Sequence, residues 1–241
     1  VRRIVLTGFR GTGKSAVGRI LAEKTGAVFI DTDDLVERMS GRPIPAIFAE
    51  DGEERFRAIE REAIASLPAA DAVVSTGGGA ILDPANTERL RRGSVMIYLF
   101  ADLETIEMRL KRSPRPPLTG LPLKEEIAAL VDRRRQNYAA AADICIDTSD
   151  TTPESAADHA FKVIQTGSAS EVQRNTALAF FRTGRIPAPA MQNLMSLLAG
   201  PNRDPTTRVL GVAGYPCAHS RGPTLFNALF EEYGLNYHYT W

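Results

Sequence analysis

Gly8-Phe9-Arg10-Gly11-Thr12-Gly13-Lys14-Ser15 is the stretch that decides the fold. The apolar run Ile4-Val5-Leu6 precedes it, and Ala16 to Ala22 follows with the spacing of an amphipathic helix. Strand, glycine-rich loop and helix in that order, with the pattern G-x-x-x-x-G-K-[ST], describe a loop that cradles phosphate. The chemistry accounts for the residue types. Gly8, Gly11 and Gly13 let the backbone curl into a nest of N–H groups, to which Thr12 and Ala16 add their amides. The helix that begins near Ser15 aims its positive end at the same anion. Lys14 has the reach to meet the β- and γ-phosphates, and the Ser15 hydroxyl is a ligand for Mg²⁺. Average composition produces the four fixed positions by accident about once in a hundred chains of this size. The chain is therefore expected to bind a nucleoside triphosphate.

Outward from that loop, short apolar strands alternate with helices. Strands are predicted at Ala27–Ile30, Ala72–Thr76, Val95–Phe100 and Ile144–Asp147, after the first at Ile4–Leu6. Helices are predicted at Leu35–Met39, Ile44–Ala49, Gly52–Leu67, Leu103–Lys111, Leu123–Ala141 and Thr152–Ile164. Strands apolar along their whole length argue a parallel sheet covered on both faces, with ligands bound outside the strands' carboxyl ends. Four candidate segments follow strands at that end: the Gly8 loop, Asp31/Asp33, Gly77–Gly79 and the basic, proline-rich run Arg112–Pro117. From residue 166 the character changes. Residues 166–207 read as a linker with a docking helix at Met191–Leu198, and 208–241 as a strand, a helix over Pro223–Tyr233 and a strand.

Composition narrows the class. Hydrophobic residues make up 44% and charged ones 24% of 241 residues, as in an ordinary globular protein. Lys+Arg and Asp+Glu both number 29, so no global field argues for nucleic acid or a membrane surface. The two cysteines, Cys145 and Cys217, lack metal-ligand spacing and fit a reducing cytoplasm. The sequence begins at Val1 without an initiator methionine and stops at Trp241 inside a strand pattern, which reads as one segment of a longer polypeptide.

Several residues carry two readings. Asp31 and Asp33, at i and i+2 where a strand ends, suit a hydrated Mg²⁺ and a substrate hydroxyl; Asp33 or Asp34 equally suits a helix N-cap. Three consecutive glycines, Gly77, Gly78 and Gly79, allow close ligand approach, though a flexible turn also tolerates them. Arg57, Arg133, Arg134 and Arg135 lie on predicted helices, where a solvated charge is the default. Arg109, Arg112 and Arg115 form a basic cluster that suits a phosphate-closing lid or a plain surface patch.

Taken in order, Gly8–Ser15, Asp31-Thr32-Asp33, Gly41-Arg42-Pro43-Ile44, Phe56-Arg57-Ala58-Ile59-Glu60, Gly77-Gly78-Gly79-Ala80 and Arg115-Pro116 resemble the shikimate kinases. The resemblance covers residues 1–165. It implies an α/β P-loop kinase fold, a five-stranded parallel sheet with helices on both faces and a lid, and transfer of the γ-phosphoryl of ATP to the 3-hydroxyl of shikimate. By position it makes Asp33 the residue on the shikimate hydroxyls and a base, and Asp31 the carboxylate beside the Mg²⁺ shell with Ser15. Arg57, Gly78, Gly79 and Arg134 become the substrate set together with Gly77, and the two arginines grip the carboxylate. Arg115 becomes the lid arginine beside Lys14, and Arg109 lies on the adenine side. Two departures matter: Pro117 stands where leucine is usual, and the short spacing leaves Arg109 and Arg112 as alternatives at the adenine. A kinase domain of this kind is expected to be a monomer. The tail is similar to the opening of shikimate dehydrogenase, in Gly211–Pro216, His219-Ser220-Arg221-Gly222-Pro223, Asn227 and Gly234–Asn236. That implies a partial second α/β domain at 208–241, with Gly222 replacing a serine of the carboxylate-binding pair. Rival functions are a P-loop kinase of another hydroxy acid or sugar acid, and an inactive P-loop assembly domain.

Overall fold

The computed structural model describes residues 2–112 and 118–166, and two further strands at 208–211 and 237–240. The chain divides into two units, Val1–Gly167 and Ser168–Trp241. In the first, β1 (Arg3–Thr7), β2 (Val28–Asp31), β3 (Ala72–Ser75), β4 (Ser94–Phe100) and β5 (Ile144–Asp147) form one five-stranded sheet in the order β2-β3-β1-β4-β5. Every pairing is parallel. Connections leave the adjacent strands β1 and β3 in opposite directions across the sheet, and a crevice opens at their carboxyl ends, where the phosphate loop begins.

Burial follows the order. β1 and β3 are buried at every residue, so Val5, Leu6, Val73 and Val74 are fully enclosed between helical layers. β2 lies at the edge, and its Val28 is exposed. Among the described residues of this unit seven α-helices cover the sheet: α1 (Lys14–Thr25), α2 (Thr32–Ser40), α3 (Ile44–Ala65), α4 (Pro84–Arg91), α5 (Leu103–Arg112), α6 (Leu123–Ala141) and α7 (Pro153–Thr166). Packing of α2 on α3 is apolar, through Val36, Ile47, Phe56, Ile59 and Ala63 with Leu35 and Ile44 at the margin. Truncating Phe56 to alanine in such a cluster typically costs about 3–5 kcal/mol. That packing sets the position of Arg57, the next residue along α3.

Most predicted elements recur within a residue or two, and three differ for physical reasons. The helix expected from Leu35 begins at Thr32, because the Asp31 side chain caps it by accepting the Asp33 N–H at 3.0 Å. The cap is thus Asp31 and neither Asp33 nor Asp34. The helices expected at Ile44–Ala49 and Gly52–Leu67 run on as α3, broken only at Gly52, whose φ of 78° and ψ of 178° are not helical. α4 and the short 3₁₀ turn Ala80–Leu82 before it have no counterpart among the expected elements.

In the second unit β6 (Arg208–Gly211) and β7 (Tyr237–Thr240) pair in parallel, Arg208 opposite Tyr237. The expected helices at Met191–Leu198 and Pro223–Tyr233 lie outside the described residues, as does the segment 113–117 with Arg115.

Candidate active site

The phosphate loop owes its glycines to close approach as much as to conformation. Gly8, Gly11 and Gly13 have φ of 144°, 83° and 88°. A Cβ on Gly8 would stand 2.2 Å from the Leu99 carbonyl oxygen, so any side chain there would push the loop off β4. Thr12 is buried and ties the loop to itself, its hydroxyl donating to the Phe9 carbonyl at 2.8 Å. α1 starts at Gly13 without a side-chain cap, which leaves the first amides of the helix facing the loop's concavity. Ala16 is exposed in that first turn. Lys14 is folded back across the loop, and Nζ donates to the carbonyls of Gly8 and Phe9, each at 2.9 Å.

The Ser15 hydroxyl donates to Asp31 Oδ2 at 2.8 Å and lies 3.3 Å from Ser75 Oγ. Residues from α1 and the end of β2 therefore share one oxygen-rich point beside the loop. Hydroxyl and carboxylate oxygens are the donors Mg²⁺ prefers, and such an ion usually takes one or two protein ligands, the rest being water and phosphate. Among the described residues no group of three or more His, Cys, Asp or Glu side chains is placed to hold a metal. The donor set fits a nucleotide-bridging Mg²⁺ rather than a caged one.

Across the crevice, Gly77–Gly79 is the point on which Asp33, Arg57 and Arg134 converge. A Cβ on Gly77 would lie 2.6 Å from Asp33 Oδ1 and 3.1 Å from Glu60 Oε1. One on Gly79 would lie 2.8 Å from both Nη atoms of Arg57. The Gly78 carbonyl accepts from Arg134 Nη1 at 3.3 Å and from the Tyr138 hydroxyl, and a Cβ on Gly78 would meet the Arg10 amide and the Gly8 carbonyl at ordinary contact distance. Asp33, Arg57 and Arg134 thus meet at the glycine run, and the run abuts the phosphate loop. Thr32 Oγ1 locks the arrangement by accepting the Gly77 N–H at 2.8 Å.

Arg57 is not the solvated charge its helix position suggests. Its Nη1 donates to Glu60 at 2.8 Å, and Nε and Nη2 to Glu53 at 3.2 and 3.0 Å. Burial would lower the Arg57 pKa, but Glu60 and Glu53 outweigh it and raise it. Burial raises the pKa of Glu60, and Arg57 offsets only part of that. The two shifts favour the ionised pair on one side and oppose it on the other. A guanidinium keeps its proton at any working pH, so the 2.8 Å contact is an ion pair. Arg134 is 9% exposed, and its Nε is buried with no hydrogen-bond partner among the described residues. A buried guanidinium edge of this kind calls for an anion. Tyr138 stacks on Tyr98 with ring centroids 5.2 Å apart, and burial pushes its pKa up to about 12, so its hydroxyl remains a donor.

On the other flank of the loop, Arg109 Nη1 donates to the Gly11 carbonyl at 3.3 Å and to Thr148 Oγ1 at 3.1 Å, and Nη2 to the Thr148 carbonyl at 2.5 Å. Thr148 in turn donates to the Thr12 carbonyl at 3.1 Å. Arg112 is exposed at the end of α5. Glu60, Tyr138 and Thr148 were not singled out by the sequence. For the first two the signal was present only as helical spacing, with Glu60 three residues after Arg57 and Tyr138 four after Arg134, and Thr148, after β5, had none.

A parallel sheet ordered β2-β3-β1-β4-β5, with a phosphate loop after β1 and the Gly77–Gly79 run after β3 beside it, is the fold of a P-loop kinase. The family model for shikimate kinase matches residues 10–165. A shikimate kinase from Moorella thermoacetica is 47% identical over 146 residues, covering 60% of this chain and 84% of the relative. One from Thermodesulfovibrio yellowstonii is 41% identical over 164 residues, 67% of this chain and 94% of its own length. The structure of shikimate kinase from Acinetobacter baumannii in complex with shikimate superposes with a TM-score of 0.66 at 32% identity, over 70% of this chain and 95% of that one. This chain belongs to the shikimate kinase family.

Proposed function

We propose that the chain transfers the γ-phosphoryl group of ATP to the 3-hydroxyl of shikimate, with Mg²⁺ held beside Ser15 and Asp31. One observation carries the choice of acceptor: two guanidinium groups, Arg57 and Arg134, are built onto the glycine run that borders the phosphate loop. A small carboxylic acid seated there places a hydroxyl toward Asp33, and the relative whose structure was solved with shikimate is of the same family. In this reading the loop amides and Lys14 bind the β- and γ-phosphates, Asp33 orients the acceptor hydroxyl and takes its proton, and the arginines grip the carboxylate. Arg109 rather than Arg112 belongs on the adenine side, since Arg109 reaches Gly11 and Thr148. Arg115 supplies a further charge at the phosphates. Ser15 and Asp31 would hold the ion through their side-chain oxygens, and it would supply positive charge to offset that on the phosphates. A phosphoryl-transfer assay over a panel of hydroxy acids and sugars tests the assignment; preference for an acceptor without a carboxylate would overturn it.

Arg57→Ala and Arg134→Ala should each raise KM for shikimate about tenfold or more, with KM for ATP changed far less. Arg57→Ala also strips the buried Glu60 of its counterion, so thermal unfolding is measured alongside and Arg57→Lys serves as the milder variant. Equal effects on both substrates would move these residues out of the acceptor site.

For the tail, residues 208–241 are read as the opening of a dehydrogenase-like substrate domain joined to the kinase (1–165) through 166–207. The sequence contains no G-x-G-x-x-G after a strand, the turn a dinucleotide requires. The 241-residue chain, incubated with shikimate and NADP⁺, should give no absorbance from reduced cofactor. Steady reduction would mean a cofactor site of another kind. A longer polypeptide that carries the rest of that domain would be bifunctional.

A further inference from the structure

One buried carboxylate in this unit has no part in the mechanism above. Glu126, in the first turn of α6, is 1% exposed. Four donors surround it. Arg10 Nη2 of the phosphate loop forms an ion pair with Oε1. Oε2 accepts from the Leu118 N–H at 2.8 Å, the Thr119 N–H at 2.5 Å and the Thr119 hydroxyl at 2.8 Å. The Arg10 side chain is itself only 10% exposed. Neither residue is asked for by the phosphate-loop pattern, where position 10 is unrestricted.

We infer that Glu126 is a positioning residue for the nucleotide half of the site, holding Arg10, and with it the crest of the phosphate loop, to the start of α6 and to the Leu118–Thr119 backbone. Geometry supports the direction of the effect. Arg10 lies between Gly8 and Gly11, both at positive φ, in a turn that the Thr12 N–H closes onto the Phe9 carbonyl at a long 3.4 Å. Its amides work only if they converge on one point, and a loose crest spreads them. The Arg10–Glu126 pair supplies a fixed point from outside the loop, on a helix of 19 residues. About 12 and 18 Å further along the same helix axis, Arg134 and Tyr138 hold the Gly78 carbonyl. One rigid element thus indexes the phosphate loop against the acceptor pocket. A charged pair withdrawn from water loses much when one partner is removed, because the other stays buried without compensation.

The inference rests on the kinase reading, and the experiment separates the two. Full-length Glu126→Gln, Arg10→Met and the double variant are compared with wild type by calorimetric titration with ADP and, separately, with shikimate, together with kcat and thermal unfolding. The glutamine side chain retains an acceptor for Leu118 and Thr119 but presents no charge to Arg10. Each single variant should weaken ADP binding and lower kcat about tenfold, leave shikimate binding without nucleotide within about twofold, and the double variant should be no worse than the poorer single one. Equal weakening of both ligands would indicate a merely structural residue and overturn the inference. So would ADP affinity and kcat within twofold of wild type, or losses that multiply in the double variant. If Glu126→Gln does not fold, Arg10→Lys, which keeps a charge opposite Glu126, should lie between wild type and Arg10→Met in ADP affinity; identity with wild type in both Arg10 variants overturns it. A wild-type chain that binds ADP but does not phosphorylate shikimate would sink the proposed acceptor alone, and the ADP measurements would still decide the role of Glu126.

Discussion

Lys14→Met should lower kcat by about a hundredfold or more while the protein remains folded. The side chain is 9% exposed, and its ammonium is held within the loop by two carbonyl oxygens at 2.9 Å. Those contacts brace the loop and keep the ammonium beside the amides that would receive the phosphate oxygens. Charge on the transferring group builds up in the transition state, so a fixed ammonium there stabilises the transition state more than the ground state. Methionine has similar length and no charge. It also forfeits the two bonds to Gly8 and Phe9, each worth about 1.5–3 kcal/mol for a charged donor, so the melting temperature is recorded with the turnover. A folded variant with near-normal turnover would remove the loop from the catalytic site.

The sheet was legible in the sequence because its inner parallel strands, buried on both faces, leave apolar runs. Even the edge strand β2, none of whose residues is fully buried, carries Val28-Phe29-Ile30, and all five runs lie within a residue or two of the strands. α4 was not legible. Only Asn86 and Leu90 of its eight residues are buried, so no apolar stripe marks it. Its one local sign is Asp83-Pro84, in which the carboxylate caps Ala85 at 2.8 Å and the proline takes the first helical position. The start of α2 was misread for the opposite reason. Four polar residues in a row, Asp31 to Asp34, each suit a cap, and only the backbone decides that Asp31 takes the role.

The phosphate loop was legible as a pattern, yet part of its cause is remote. Gly8 is required by the Leu99 carbonyl of β4, ninety-one residues away in sequence. Arg57 and Arg134 were indistinguishable from their charged neighbours by local spacing, since Arg133 and Arg135 have the same surroundings in the chain. What distinguishes Arg134 is the face of α6 that meets Gly78, a consequence of tertiary packing. Glu60 shows the same limit. A glutamate among charged helix residues reads as solvent-facing, and it becomes a buried counterion only because α3 packs that face against the glycine run.

Asp33→Asn should cost a large part of kcat, about a hundredfold or more, with affinity for ATP nearly unchanged. The side chain lies against Gly77, where a Cβ would come within 2.6 Å of Oδ1, so its carboxylate faces the glycine run. Asparagine keeps that shape but carries an amide where a carboxylate would draw the proton from the attacking hydroxyl. Ser15 binds Asp31 instead, and Asp31 also caps α2. The exchange at position 33 therefore leaves the cap and the Ser15–Asp31 bond intact. This separates two carboxylates that stand two residues apart. Asp31→Asn should weaken binding of the Mg²⁺-nucleotide and loosen the start of α2, whereas Asp33→Asn should act on the chemical step. If Asp33→Asn turns over at the wild-type rate with shikimate at saturation, no base is needed at this position, and the acceptor hydroxyl must be activated by the nucleotide's own phosphate oxygens.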